Sequence, residues 1–174
     1  MRRGLPTLAD VLSLGTGVAL SLVVSLDGQL CGPDGSSRSI SGPEDLQWLR
    51  TLRAAADVIV VGAATAARER YGAISVAPEF REARASAGLV DVPEVRVINR
   101  ASDLDVALDG SRVLLEAGVR LHSAVIHRVD RIWISHAPVL VGNTDAAMHA
   151  SLDGFTIAAR YEGDTFVVTQ FERV

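Results

Sequence analysis

The chain has 174 residues, 48% of them hydrophobic and 22% charged, which is enough for one domain spanning 1–174 with a single substantial core. A net charge of −4, with 17 basic residues scattered along the sequence, leaves no basic stripe to track nucleic acid. The lone cysteine, Cys31, excludes an intrachain disulfide and suits a reducing, cytoplasmic setting.

Arg2-Arg3 ahead of the charge-free stretch Val11 to Leu26 resembles a leader, but Pro6 and Asp10 interrupt the approach and no small-residue cleavage site follows. The stretch is also too short and too rich in Ser, Gly and Thr to read as a membrane span, so Val18 to Leu26 is expected to be a buried strand. Gly32-Pro33-Asp34-Gly35 marks a loop. A helix then starts at Pro43, with Glu44 and Asp45 in its first turn, Leu46, Leu49, Leu52 and Ala56 at helical spacing, and Arg50 and Arg53 late. Val58 to Val61 is a short apolar strand ending at Gly62, so the first half reads strand, helix, strand, a parallel crossover.

Further on, a helix is expected over Pro78 to Ala87, strands over Val95 to Ile98 and Val113 to Leu115, helix over His122 to Val129, and a strand over Arg131 to His136. Phe155 to Tyr161 and Thr165 to Phe171, separated by Glu162-Gly163-Asp164, read as an antiparallel hairpin. The four histidines, His122, His127, His136 and His149, show no metal-ligand spacing, so no metal is expected.

Three runs carry the chemistry. SLVVSLDG (Ser21 to Gly28) delivers a carboxylate, Asp27, from the end of an apolar strand to a point where the backbone turns sharply. ISGPED (Ile40 to Asp45) places Ser41 and Gly42 at a helix start, where free N–H groups suit phosphate. VIVVGAATAARERY (Val58 to Tyr71) is a strand followed by a turn of small residues. In this order the runs resemble the reductase domain of bacterial riboflavin biosynthesis, a dihydrofolate-reductase-like family. The resemblance implies an α/β, three-layer fold whose mixed sheet is mostly parallel and closes with a C-terminal antiparallel hairpin.

It further implies a reductase that moves a hydride from NADPH to a ribosylamino-pyrimidine, a small-molecule substrate, with Asp27 and Glu116 managing charge and protons. Ser41, Gly42, Gly62, Thr65, Arg100 and Gly118 would face the cofactor, Arg100 toward its 2′-phosphate, while Arg38 and Arg68 would face substrate. Arg68 also fits a solvated helix face, Arg100 an exposed loop and Asp27 a turn residue. A homodimer is expected, with Ile132, Trp133 and Ile134 supplying apolar surface.

Only 14 residues, Asn99 to Arg112, separate two strands where relatives fit a further strand and helix, and Ala64 and Ala117 replace glycines of the family signatures. NADPH binding is therefore expected to be weakened or lost. The competing reading is a catalytically silent homodimer that binds a small molecule or serves as structure. Reduction of dihydrofolate itself follows from the fold relationship alone.

Overall fold

Alternation along each strand sorts the apolar side chains onto the two faces of one sheet. In the computed structural model, which describes residues 1–68, 71–72, 74–116, 122–142, 147 and 151–174, eight strands form that sheet. They are β1 (Arg2–Arg3), β2 (Gly17–Val24), β3 (Val58–Gly62), β4 (Glu94–Ile98), β5 (Arg112–Glu116), β6 (Arg131–His136), β7 (Phe155–Glu162) and β8 (Val167–Arg173), in the order β1-β7-β8-β6-β2-β5-β3-β4. β7 and β8 pair antiparallel, as do β6 and β8, and every other neighbouring pair is parallel. This is the mixed, mostly parallel sheet with a terminal hairpin that the sequence suggests.

Helices cover both faces. α1 (Leu8–Ser13), α2 (Pro43–Ala54) and α4 (Pro78–Ser86) lie on the face that buries Ile59, Leu114, Trp133 and Val168. The other face buries Leu20, Leu22, Val60, Leu115, Ile132 and Ile134 under α5 (Leu104–Ala107) and α6 (His122–Val125). A short α3 (Ala63–Arg68) continues directly from β3. The crossover from β2 through α2 to β3 is parallel as expected, with β5 inserted between the two strands.

Several expectations are corrected. The first strand stops at Val24, because the chain turns through Ser25–Gly28 and leaves Leu26 65% exposed. α6 lasts one turn and passes into a 3-10 turn, Ile126–Arg128. Ile132, Trp133 and Ile134 supply no dimer surface: β6 lies between β2 and β8, and all three side chains are buried within the chain. Two elements escape the apolar pattern altogether, namely β1 and α1, the latter started by a reciprocal cap in which Thr7 N–H donates to Asp10 Oδ2 (2.8 Å) and Asp10 N–H donates to Thr7 Oγ1 (3.2 Å). The short connection between β4 and β5 holds a 3-10 turn (Ala101–Asp103) and α5, with no further strand.

α2 is fastened at its C-terminus by Arg84 of α4, which is 1% exposed. Its Nη1 donates to the carbonyls of Ala54 (2.7 Å) and Ala56 (2.9 Å), and its Nε and Nη2 donate to that of Val90 (3.1 and 2.5 Å). The helix-end carbonyls that lack intrahelical partners are satisfied by one buried fork. Arg84→Met keeps the volume of the stem and strands those acceptors, so an unfolding free energy lower by about 3 kcal/mol is expected. Urea denaturation showing a fall of under ~0.5 kcal/mol would mean that water replaces the guanidinium at no cost.

Candidate active site

In an open sheet of parallel strands, ligands settle in the crevice beyond the strands' carboxyl ends. Here β3 ends at Gly62, β4 at Ile98 and β5 at Glu116, and all three ends line one cleft of about 860 Å³. Its other walls are Ser21–Val23 of β2, the face of α2 carrying Asp45, Leu49, Arg50 and Arg53, and the loop holding Leu30, Cys31 and Arg38. A side chamber of about 290 Å³, lined by Arg38, Arg50, Arg53, Tyr71, Gly72 and residues 74–77, shares those arginines and Tyr71 with the cleft.

Glu116 is 11% exposed and fully engaged. Its Oε1 accepts from Arg53 Nε (2.7 Å), its Oε2 from Arg53 Nη2 (2.7 Å), and the Tyr71 hydroxyl makes a short hydrogen bond to the same Oε2. Arg53 Nη2 also donates to the Tyr71 oxygen (2.5 Å), and its guanidinium lies 5.0 Å from the Tyr71 ring centroid. Burial opposes the charge on Arg53, but the Glu116 carboxylate outweighs it and pushes the arginine's pKa up. Burial likewise pushes the Tyr71 phenol up, reinforced by the charge of Glu116 against the opposing pull of Arg53.

Asp45, in the first turn of α2, is 9% exposed and lines the same cleft. Burial pushes its carboxyl above the usual range, and the hydroxyls of Ser41 and Ser135 only partly counteract that. No ion pair neutralises it among the described residues. It is thus a carboxyl disposed to hold a proton, facing a cavity large enough for ligands.

Of the residues singled out from sequence, Glu116, Ser41, Gly62, Thr65, Arg100, Arg38 and Arg68 all line this cleft. Arg68 Nη1 also donates to the Gly35 carbonyl (2.8 Å), tying α3 to the loop opposite. The Arg100 guanidinium forms no hydrogen bond or ion pair among the described residues; its backbone N–H donates to Asp103 Oδ2 (3.2 Å) and its carbonyl accepts from Asp103 N (3.1 Å). Gly42 is the residue that caps α2 and lies outside the lining, and Gly118 falls outside the described residues. Asp27 is not brought to the cleft either. Its carboxylate accepts from Ser25 Oγ (2.6 Å), Val141 N (3.2 Å) and Gly142 N (2.7 Å), pinning the 139–142 loop, and these bonds hold its pKa below the usual range.

Asp45, Arg53 and Tyr71 were missed as site residues. The first two carried the signals of an ordinary helix start and end, and only the fold turns them toward the cleft.

Residues 16–108 match the RibD C-terminal domain family, over more than half of the chain. The chain belongs to the RibD C-terminal domain family. Over 170 residues it is 31% identical to the riboflavin biosynthesis protein RibD of Mycobacterium tuberculosis, an alignment that takes in 85% of this chain and 50% of that protein. The chain therefore spans about half the length of that curated relative. A pyrimidine reductase-like protein from Corynebacterium diphtheriae has a similar structure, with a TM-score of 0.75 at 16% identity over 91% of this chain and 92% of that one. Dihydrofolate reductase from Enterococcus faecalis, complexed with NADP(H), matches with a TM-score of 0.68 at 12% identity over 90% and 96% of the two chains. These likenesses make the fold of this RibD C-terminal family member dihydrofolate-reductase-like. No helix among its described residues is long and apolar enough to cross a membrane.

The cluster at Glu116 is checked by ultraviolet absorbance titration. Comparison of the wild type with Tyr71→Phe should isolate a phenol that ionises well above the ordinary tyrosine value of about 10. A difference component at the ordinary value would show that Tyr71 is solvated and uncoupled from Glu116.

Proposed function

We propose that the chain is an NADPH-dependent reductase of a ribosylamino-pyrimidine in riboflavin biosynthesis. The observation that carries this reading is that several arginines and a buried carboxyl, Asp45, which no ion pair neutralises among the described residues, line one cleft of about 860 Å³. Family membership supports the reaction class, and the donor set suits an anionic cofactor together with an anionic substrate.

The residues present fit the cofactor. Gly62, Ala63 and Ala64 form a wall of small side chains at the end of β3, Thr65 adds a hydroxyl, and Arg100 offers an uncommitted guanidinium at the end of β4. NADPH, when bound, supplies the hydride. Arg100 would hold its 2′-phosphate, while Arg38, Arg50 and the side chamber would receive the substrate's phosphate. Reduction of the substrate's C=N delivers the hydride to C1′ and requires one proton at nitrogen. Asp45 is placed to donate that proton, since burial keeps it protonated to higher pH than a solvated aspartate. Glu116, with both oxygens committed, would hold Arg53 and Tyr71 in place along the cleft wall. The reading includes a homodimer whose contact lies outside β6.

Calorimetry with both nucleotides tests the cofactor. NADPH should bind at least tenfold more tightly than NADH, a preference that Arg100→Ala abolishes, because one charge-assisted contact of roughly 1.5–3 kcal/mol is removed. Equal affinities in the wild type would remove the role of Arg100. No binding of either at millimolar nucleotide would favour the silent, small-molecule-binding homodimer.

Asp45→Asn should lower turnover by about 10²-fold or more while shifting Tm by only a few degrees, since the amide keeps the shape and carries no buried charge. In the wild type, turnover should fall as pH rises through the raised pKa of Asp45, because the donor must be protonated. Undiminished turnover in Asp45→Asn would move the proton to another donor.

A further inference from the structure

The first turn of α2 holds two adjacent carboxylates in opposite situations. Asp45 points into the cleft, while Glu44 reaches across to the turn between β7 and β8. Glu44 Oε1 accepts from Asp164 N (2.8 Å), and its Oε2 accepts from both the N–H and the hydroxyl of Thr165 (2.7 Å each). The turn approaches so closely that a Cβ on Gly163 would collide with the Glu44 carboxylate and lie 3.1 Å from the Phe166 carbonyl. The clasp is therefore close on both sides, and a side chain at position 163 would displace the Glu44 carboxylate.

No side-chain cap does this work. α2 is capped by Gly42, which has no side chain to accept from the first-turn amides. Its opposite end is held by Arg84 about three turns away, which does not fix the rotation of the first turn. The β7–β8 hairpin, in contrast, is rooted in the same core as α2 through Phe166 and Val168, packed with Trp48 and Trp133.

We propose that Glu44 is a positioning residue: by holding the β7–β8 turn against the first turn of α2, it fixes how deeply the Asp45 side chain sits in the cleft. The groups around Asp45 are the hydroxyls of Ser41 and Ser135, Glu44 beside it, and Arg38, Arg50, Arg53 and Glu116 along the cleft wall. None of the charged ones pairs with it, so its depth governs its proton affinity. Release of the clasp admits water to Asp45 and lowers that affinity.

The inference rests on the reading of Asp45 as proton donor, which turnover of Asp45→Asn tests separately. The clasp is tested without cofactor, by carbon-13 NMR titration of the Asp45 carboxyl in the wild type, Glu44→Ala and Gly163→Ala. In both variants the Asp45 midpoint should fall by about one pH unit or more toward the solvated value, a tenfold or greater change in proton affinity. The descending limb of the turnover profile should move with it, while KM for NADPH stays unchanged. Glu44→Gln, which keeps the volume and one acceptor oxygen, should shift the midpoint in the same direction by less, and it carries the test if Glu44→Ala does not fold. An unchanged Asp45 midpoint across the folded variants, whatever their Tm, overturns the clasp and leaves Glu44 a stabilising contact only.

Discussion

The bidentate pair between Glu116 and Arg53 is the joint on which the cleft depends. It links the end of β5 to the last turn of α2 across 63 residues of sequence, with both N–O distances at 2.7 Å. Two charges withdrawn from water are costly unless the geometry is close to ideal and the remaining donors and acceptors are satisfied. Tyr71 meets that condition by placing its hydroxyl between the two partners. The result is a closed polar unit at the floor of the cleft. Both oxygens of the Glu116 carboxylate are thereby engaged within the unit.

α2 then behaves as a beam held at three points. Arg84 fastens its C-terminal carbonyls, Arg53 ties its last turn to the sheet, and Glu44 ties its first turn to the hairpin. Between them Trp48 and Leu52 are buried against Trp133, Ile59 and Leu114. The Trp48 and Trp133 rings meet edge to face at 5.1 Å, a favourable arrangement of their quadrupoles. Neither indole N–H finds an acceptor among the described residues, so that contact rests on packing. Side chains on the cleft face of α2 inherit the rigidity of the beam, and Asp45, Arg50 and Arg53 are all on that face.

The parts of the fold legible from sequence are those in which one local pattern decides the outcome. Val58 to Val61 is uniformly apolar and becomes a strand buried on both faces, and Pro43 followed by two acids marks the start of α2 to the residue. The N-terminal helix was hidden because its capping box, Thr7 to Asp10, is short and leads into an apolar run that also suits a strand. β1 has no pattern to read: two arginines become a strand only because Tyr161 and Glu162 offer them an edge. Ile132, Trp133 and Ile134 read equally well as a surface for a second copy or as core, and the position of β6 inside the sheet decides between these. The cleft was legible as a set of loop and helix-start residues, seven of which do converge there.

What the sequence could not show is which aspartate has its pKa raised and which lowered. Asp27 follows a buried strand and precedes a glycine, the setting that most suggests a catalytic acid, yet its carboxylate receives a hydroxyl and two amides, one of them from Val141, 114 residues away. Each of those donors stabilises the ionised form, and its pKa is lowered. Asp45 lies in a helix's first turn, where an acid ordinarily serves the helix dipole from the solvent side. Here the turn is pressed against β6 and the cleft, so burial outweighs the two hydroxyls near it and its pKa is raised. The same side chain thus acquires opposite shifts, from the nearby Ser25 hydroxyl and two distant amides in one case and from burial in the other. The amides of Val141 and Gly142 and the burial of Asp45 come from parts of the chain that no local motif reports, which is why motif order located the cleft without showing how its fold tunes each aspartate.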